Sequence, residues 1–469
     1  MARGVPCSGN IMNIIDLAEA VHSGPQGPSI AHALRSSDSA GPPGTIVREH
    51  RLRVPLDHGD PLGEQIEIFA REITHSRHAA QADSLPWLVY FNGGPGMDGY
   101  RPLDTKGWFG RLLEEFRIVV LDQRGTGLST PVDAAVVTGR GSPAAQFDFL
   151  RHFRQDSIVR DAELLRHALV GDRPWHACGQ SYGGWCITTY LSLAPEGLAS
   201  AIITGGLPPV GRSAEEVYRQ TYKTVARKND AFYERFPRQV EHVCGIADFL
   251  LGNDVWLPNG DPLSLRRFQQ LGLMFYRANG PVALNYLLEG AWAPGERGRR
   301  LSNRFLQAVQ AASPFESQPL FAVLHEPIFA EDAASRWAAE RVRGEHPEFA
   351  SDRSERVLFT GEMIYPWMFD DYAALRPFRE VAELIAAHDG WPPLYDAARL
   401  ARNEIPVAAV VYWDDMCVVR EYSLDTGRLI RGAKVWITNE FEHDGKGVDG
   451  ERIMGQLLAM ARGESSPAF

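Results

Sequence analysis

The stretch HACGQSYGGW, residues 176–185, places a serine between glycines two positions away on either side. Gly179-Gln180-Ser181-Tyr182-Gly183 fits G-x-S-x-G, after the short apolar run WHACG (175–179) and before a helix-like stretch over 184–194. That order describes a nucleophile elbow, a sharp strand-to-helix turn that strains the serine backbone and exposes its Oγ. Side chains two positions from the serine would collide at such a turn, so glycine stands there. The following helix aims its N-terminus at the oxyanion that develops during acyl transfer. Ser181 is the candidate nucleophile. A serine that happens to sit in a glycine-rich turn is the bland alternative.

Outward from the elbow, further short apolar runs leave through glycines or acids. WLVYF (87–91) ends in NGGPG, RIVVLD (117–122) in QRGTG, and SAIITGG (200–206) follows the elbow helix. VAAVVYW (407–413) and KVWIT (434–438) come much later. Continuous β-branched runs are the mark of parallel strands buried on both faces. Helix-like stretches such as 157–169 alternate with them, which predicts an α/β class with a mostly parallel sheet. Residues 46–56 and 65–73, the second alternating apolar and polar, read as strands joined by the turn DHGDPLG.

Residues 211–400 lose the strand signal and read as helical and aromatic, a cap inserted between two sheet strands. The expected organisation is therefore a catalytic domain over 45–210 and 401–469, with a helical cap at 211–400. Residues 1–44, rich in Gly, Pro and Ser, read as a flexible extension with one short helix at 12–22, and order is expected from about Ile46.

The bulk numbers exclude several function classes. The chain has 469 residues and a formal net charge of −11, with no Lys/Arg-rich run, which disfavours nucleic acid and anionic membrane as partners. Five cysteines in so long a chain form no disulfide framework and no metal-ligand spacing, so no metal is expected. Reduced thiols in a cytoplasmic protein are the simplest expectation. No run reaches the ~18 apolar residues of a membrane span, and the N-terminus makes a poor signal peptide.

A nucleophilic serine needs a base, and the base an orienting acid, in the chain order Ser, Asp/Glu, His. Asp414 and Asp415 follow VAAVVYW, and His443 follows KVWIT in the loop NEFEHDG, before a helix expected at 451–462. Asp415 is preferred as the acid and Asp414 is the fallback. For the oxyanion hole, the N–H of Tyr182 follows the nucleophile, and the N–H of Gly94 sits in the glycine loop after WLVYF. Asp122 and Arg124 in DQRGTGLS are read as braces of the active-site loops. GTG lacks the lysine of a phosphate loop, so no nucleotide site is read there.

Nine stretches jointly resemble the prolyl aminopeptidase (proline iminopeptidase) family of α/β-hydrolases, in its longer branch. They are VPLDH (54–58), GGPG (93–96), DQRGTGLS (122–129), GQSYGGW (179–185), GGLPP (205–209), LHEPIF (324–329), TGEMIYPWMF (360–369), DDM (414–416) and NEFEHDG (439–445), in family order. The resemblance implies release of N-terminal proline from short peptides through an acyl-enzyme, without metal or cofactor. It also implies cap carboxylates that hold the substrate α-ammonium, and the matching positions are Glu326 and, preferred, Glu362. A carboxylate among Leu324, Phe329, Tyr365, Trp367 and Phe369 is costly unless something pairs with it. Asn92 departs from the family's more familiar histidine, Cys417 stands where the longer branch tends to carry tyrosine, and residues 1–44 lie outside the resemblance. Two other functions fit the elbow: an esterase or lactonase on the same fold, which needs no amine-binding carboxylate, and a non-catalytic binding protein of that fold.

Overall fold

Continuous apolar runs became the strands that bury both faces. The computed structural model describes residues 34–465 apart from 297, 313–314, 316–317 and 353–355. The strands are β1 (Arg35–Ser39), β2 (Thr45–Pro55), β3 (Gln65–His75), β4 (Trp87–Phe91), β5 (Arg117–Asp122), β6 (Trp175–Gln180), β7 (Leu198–Thr204), β8 (Trp292–Gly295), β9 (Gly298–Leu301), β10 (Val407–Tyr412) and β11 (Lys434–Thr438). Nine of them form one sheet in the order β1-β2-β3-β5-β4-β6-β7-β10-β11. From β5 through β11 the pairings are parallel, and β1, β2, β3 and β5 pair antiparallel. Every residue of β4, β5 and β10 is buried, whereas β2 alternates. This is the α/β-hydrolase arrangement with a helical insertion.

The order of ordered structure differs from expectation at its start. Arg35–Ser39 is an edge strand paired with Val47–Arg51, so the sheet begins before Ile46 and inside the stretch read as extension. Its sequence, RSSDS, has no apolar residue, and backbone pairing alone makes it a strand. The helix expected over 12–22 lies outside the described residues.

One face of the sheet is covered by helices Gln155–Val170 and Tyr182–Leu193, whose core runs on into the cap. Gly107–Leu113 and Gly450–Arg462 cover the other face with Trp108, Phe109, Leu112, Ile453, Met454 and Leu457. The helical insertion enters between β7 and β10 as a cap. Its first helix, Ala214–Arg235, starts at a capping box of Ser213 and Glu216. It also holds the β8–β9 hairpin, which the sequence did not announce. Among the described residues, no helix is long and apolar enough to cross a membrane.

The chain reverses direction across the sheet at β4, since β5 lies on one side of it and β6 on the other. The crevice at such a switch point is where open α/β sheets place ligands, and both glycine-rich exits, after β4 and after β6, open there.

Candidate active site

Ser181 has φ 56° and ψ −125°, a left-handed conformation forced on a non-glycine residue. Its surroundings require glycine, as the elbow reading expects. A Cβ on Gly183 would lie 2.1 Å from the Phe91 carbonyl oxygen, and one on Gly179 would lie 2.4 Å from that of Gly183. The Ser181 N–H donates to the Thr204 carbonyl at 3.0 Å, which ties the turn to β7. Tyr182 opens the helix, so its N–H has no carbonyl within the helix to bond. Its ring is buried and its hydroxyl donates to Gln155 Oε1 at 3.1 Å.

The loop after β4 lies directly beside the serine. A Cβ on Gly93 would approach Ser181 Cβ to 3.3 Å, and Gly94 has φ 128°, a value suited to glycine. The cap roofs this loop, because a Cβ on Gly96 would lie 2.7 Å from Phe321 N. Beneath it, buried Asp122 accepts from the Gly99 and Leu128 N–H groups at 2.9 and 2.8 Å and pairs with Arg101. Arg124 pairs with Asp161 at 2.6 Å, beside His58, and donates to the carbonyls of Pro55, Leu56 and His152. Both residues brace the loops, as the sequence suggested.

Asp415 and His443 are brought together: His443 Nδ1 lies 2.7 Å from Asp415 Oδ2. The other carboxylate oxygen accepts from the Cys417 and Val418 N–H groups at 2.8 and 3.0 Å. Asp414 instead is exposed and sits 3.5 Å from Arg227. Burial lowers the affinity of His443 for a proton, but the charge and hydrogen bond of Asp415 outweigh it, helped by Glu362 and Asp444, so its pKa is raised. Two glycines link serine and histidine in space. A Cβ on Gly206 would lie 2.3 Å from Ser181 O, and one on Gly205 would lie 3.4 Å from His443 Nδ1.

Glu362 is half-buried and close to this group. The thiol of Cys417 hydrogen-bonds to it, and its charge acts on His443, Tyr276, Tyr218 and His325. No lysine or arginine pairs with Glu362 among the described residues. Tyr276 stands edge-on to His443 at 6.4 Å, and Phe329 edge-on to Trp185 of the elbow helix at 4.9 Å. Those two rings border the site. Tyr365 and Trp367, which stack on each other at 5.6 Å, belong to the cap core, as does Phe369.

Glu326 is buried and faces backbone donors. Its two oxygens accept from the Ala338 and Ala339 N–H groups at 3.0 and 2.9 Å, where they cap the helix Ala338–Arg343 from outside. Burial raises its pKa despite those donors. One acceptor site on each of its oxygens is thus engaged with backbone.

Asp415, Cys417 and His443 offer one ligand atom each within 4.8 Å. Yet Asp415 and His443 already bond each other, and burial, with Glu362 and Asp415 adding, pushes the Cys417 thiol well up. A protonated thiol is a poor metal ligand. Cys178 and Cys186 are buried on opposite faces of the sheet, where they pack.

Residues 86–241 match the alpha/beta hydrolase fold family. A proline iminopeptidase of Aeromonas sobria is 49% identical over 420 residues, 89% of this chain and 97% of that protein. The proline iminopeptidase aneH of Aspergillus aculeatus is 32% identical over 427 residues, 90% of this chain and 94% of that protein.

Proposed function

We propose that this chain, which belongs to the proline iminopeptidase family of α/β-hydrolases, is a serine exopeptidase that releases N-terminal proline from short peptides. The observation that carries the reading is the unpaired carboxylate of Glu362 beside the Asp415–His443 pair, where the free amine of a substrate finds its counter-charge.

Ser181 Oγ attacks the carbonyl carbon of the N-terminal residue while His443 Nε2 takes the hydroxyl proton. Asp415, fixed by two backbone donors, holds the Nδ1–H tautomer and stabilises the imidazolium. The N–H groups of Tyr182 and Gly94 receive the oxyanion, and the helix dipole behind Tyr182 adds to them. His443 then protonates the departing amine of the shortened peptide. Water, deprotonated by His443, cleaves the prolyl ester and frees proline. Glu362 anchors the substrate ammonium, and Glu326 keeps the cap wall around it in place through the 338–343 helix.

Cys178, Cys186 and Cys417 carry unbridged thiols, which supports a reducing compartment, in line with a cytoplasmic enzyme. The test is a panel of arylamides with different N-terminal residues, together with N-acetyl-prolyl arylamide and a nitrophenyl ester. Selective turnover of the free-amine prolyl substrate is expected. Equal turnover of the N-blocked compound, or preference for the ester alone, would favour the esterase reading.

A further inference from the structure

Lys446 lies three residues beyond His443, in the short surface helix Gly445–Val448, where a lysine ordinarily reaches water. Here its ammonium points inward. Nζ lies 4.0 Å from the ring centroid of Trp108, 4.9 Å from that of Tyr90 and 5.9 Å from that of Tyr100. Trp108 packs against both tyrosines, at 4.6 and 4.8 Å between centroids, so the three rings form one box. Among the described residues no carboxylate pairs with Lys446. A charge desolvated without a counter-ion is costly, and a methionine or leucine would fill the same space without that cost. The cation therefore needs a reason.

Its hydrogen bonds supply one. Lys446 Nζ donates to the Tyr90 hydroxyl at 2.5 Å, and that hydroxyl donates in turn toward Asn92 Oδ1 at 3.4 Å. Asn92 Nδ2 donates to the Asp98 carbonyl at 2.6 Å, which closes a bridge over the glycine loop that holds Gly94. Gln123 Nε2 holds the Asn92 carbonyl at 3.1 Å. On the other side, the turn from His443 to Lys446 is stiff: Gly445 N–H donates to the Glu442 carbonyl at 3.0 Å, and Gly447 N–H to that of Asp444 at 2.7 Å. The turn also presses on Tyr412, since a Cβ on Gly445 would lie 2.7 Å from its ring.

We propose that Lys446 is a positioning residue, whose boxed ammonium ties the loop of His443 to the glycine loop of Gly94 and keeps the base and the oxyanion donors in register. Asn92, which departs from the family's histidine, is the far end of this tie. The inference rests on the serine-hydrolase reading of the site and adds a residue that touches no substrate.

Burial lowers the Lys446 pKa to about 8. The titratable groups that face it are Tyr90 from β4, Cys178 from β6, Tyr100 and, at its backbone N–H, Tyr412 from β10, and burial raises each of these, so they stay neutral there. The tie then weakens as pH rises through about 8, and an alkaline fall in kcat follows.

The test compares wild type, Lys446→Met and Tyr90→Phe for turnover of prolyl arylamide and for the rate of Ser181 labelling by a fluorophosphonate. A misplacement of 1 Å costs about 100-fold in a site of this kind, so Lys446→Met lowers kcat by about 10–100-fold with KM within about twofold, slows labelling in parallel, and loses the alkaline limb. Tyr90→Phe, which keeps the ring, gives a similar loss, and the double variant is no worse than the poorer single one. If Lys446→Met does not fold, Tyr90→Phe alone carries the test. A folded Lys446→Met with wild-type kcat and labelling, a loss confined to KM, or additive losses in the double variant would overturn the proposal. Wild type that labels but ignores prolyl arylamide would sink the substrate reading instead and leave the labelling comparison intact.

Discussion

Asp415→Asn puts the triad geometry to its sharpest use. One oxygen of Asp415 accepts from two backbone N–H groups, at 2.8 and 3.0 Å, and the other faces His443 Nδ1 at 2.7 Å. In the asparagine variant the remaining oxygen must stay with the backbone donors, so the amide NH2 turns toward Nδ1. His443 then carries its proton on Nε2, the atom that should receive the serine proton. Flipping the amide back would forfeit two hydrogen bonds worth about 1 kcal/mol each, which holds the competent tautomer to a few per cent. The imidazolium also loses its counter-charge, about 3–4 kcal/mol for a close pair at an effective dielectric of ~20. Together the loss is about 5–6 kcal/mol, roughly 10⁴-fold in kcat. The acid limb of the rate profile moves to lower pH as well, because Asp415 is the main group that raises the His443 pKa. Turnover of prolyl arylamide across pH, with thermal unfolding as a folding check, reads both effects. Asp414→Asn is the control: the group is exposed and its 3.5 Å contact with Arg227 is weak, so rates should stay within about twofold. A folded Asp415→Asn within about tenfold of wild type, or a crippled Asp414→Asn, would refute the assignment.

Glu362→Gln should cost about 10–100-fold in kcat/KM for free-amine substrates, the worth of a charge-assisted hydrogen bond, and little for an ester that lacks the amine. Wild-type kcat/KM should lose its acid limb through a pKa above the ordinary 6.5 of histidine; the proton that adds to His443 below that pH disables the base, and Glu362→Gln should shift the limb downward. Gly183→Ala drives a methyl to 2.1 Å from a backbone oxygen and should destabilise by about 1–3 kcal/mol in denaturant titration, with activity lost. Glu326→Gln replaces an acceptor by a donor against the Ala338 and Ala339 N–H groups; the denaturation midpoint should fall by about 1–3 kcal/mol of stability, with a smaller effect on kcat than Glu362→Gln.

Much of the catalytic domain was legible because its physics is local. A strand buried on both faces must be apolar throughout, and β4, β5 and β10 are. An elbow must carry glycine where side chains would strike backbone, and Gly179 and Gly183 do. The edge strand Arg35–Ser39 was illegible because it buries almost nothing and owes its form to β2. In the cap, read as helical over 211–400, Arg336 and Trp337 have φ of 48° and 56° and the helix begins only at Ala338. Glu326, outside that helix, supplies acceptors for its start, so the break does not show in a local pattern. Lys446 was passed over for the same reason: its box comes from residues more than three hundred positions earlier.

In the proposed mechanism Ser181 acylates on the N-terminal residue of a free-amine peptide. The direct measurement is release of proline from a prolyl dipeptide and a prolyl tripeptide by wild type and by Ser181→Ala, each beside its N-acetylated form. Wild type should release proline from the free peptides alone, and Ser181→Ala none above background. Proline release by folded Ser181→Ala near the wild-type rate, or equal cleavage of the acetylated peptides, would contradict it.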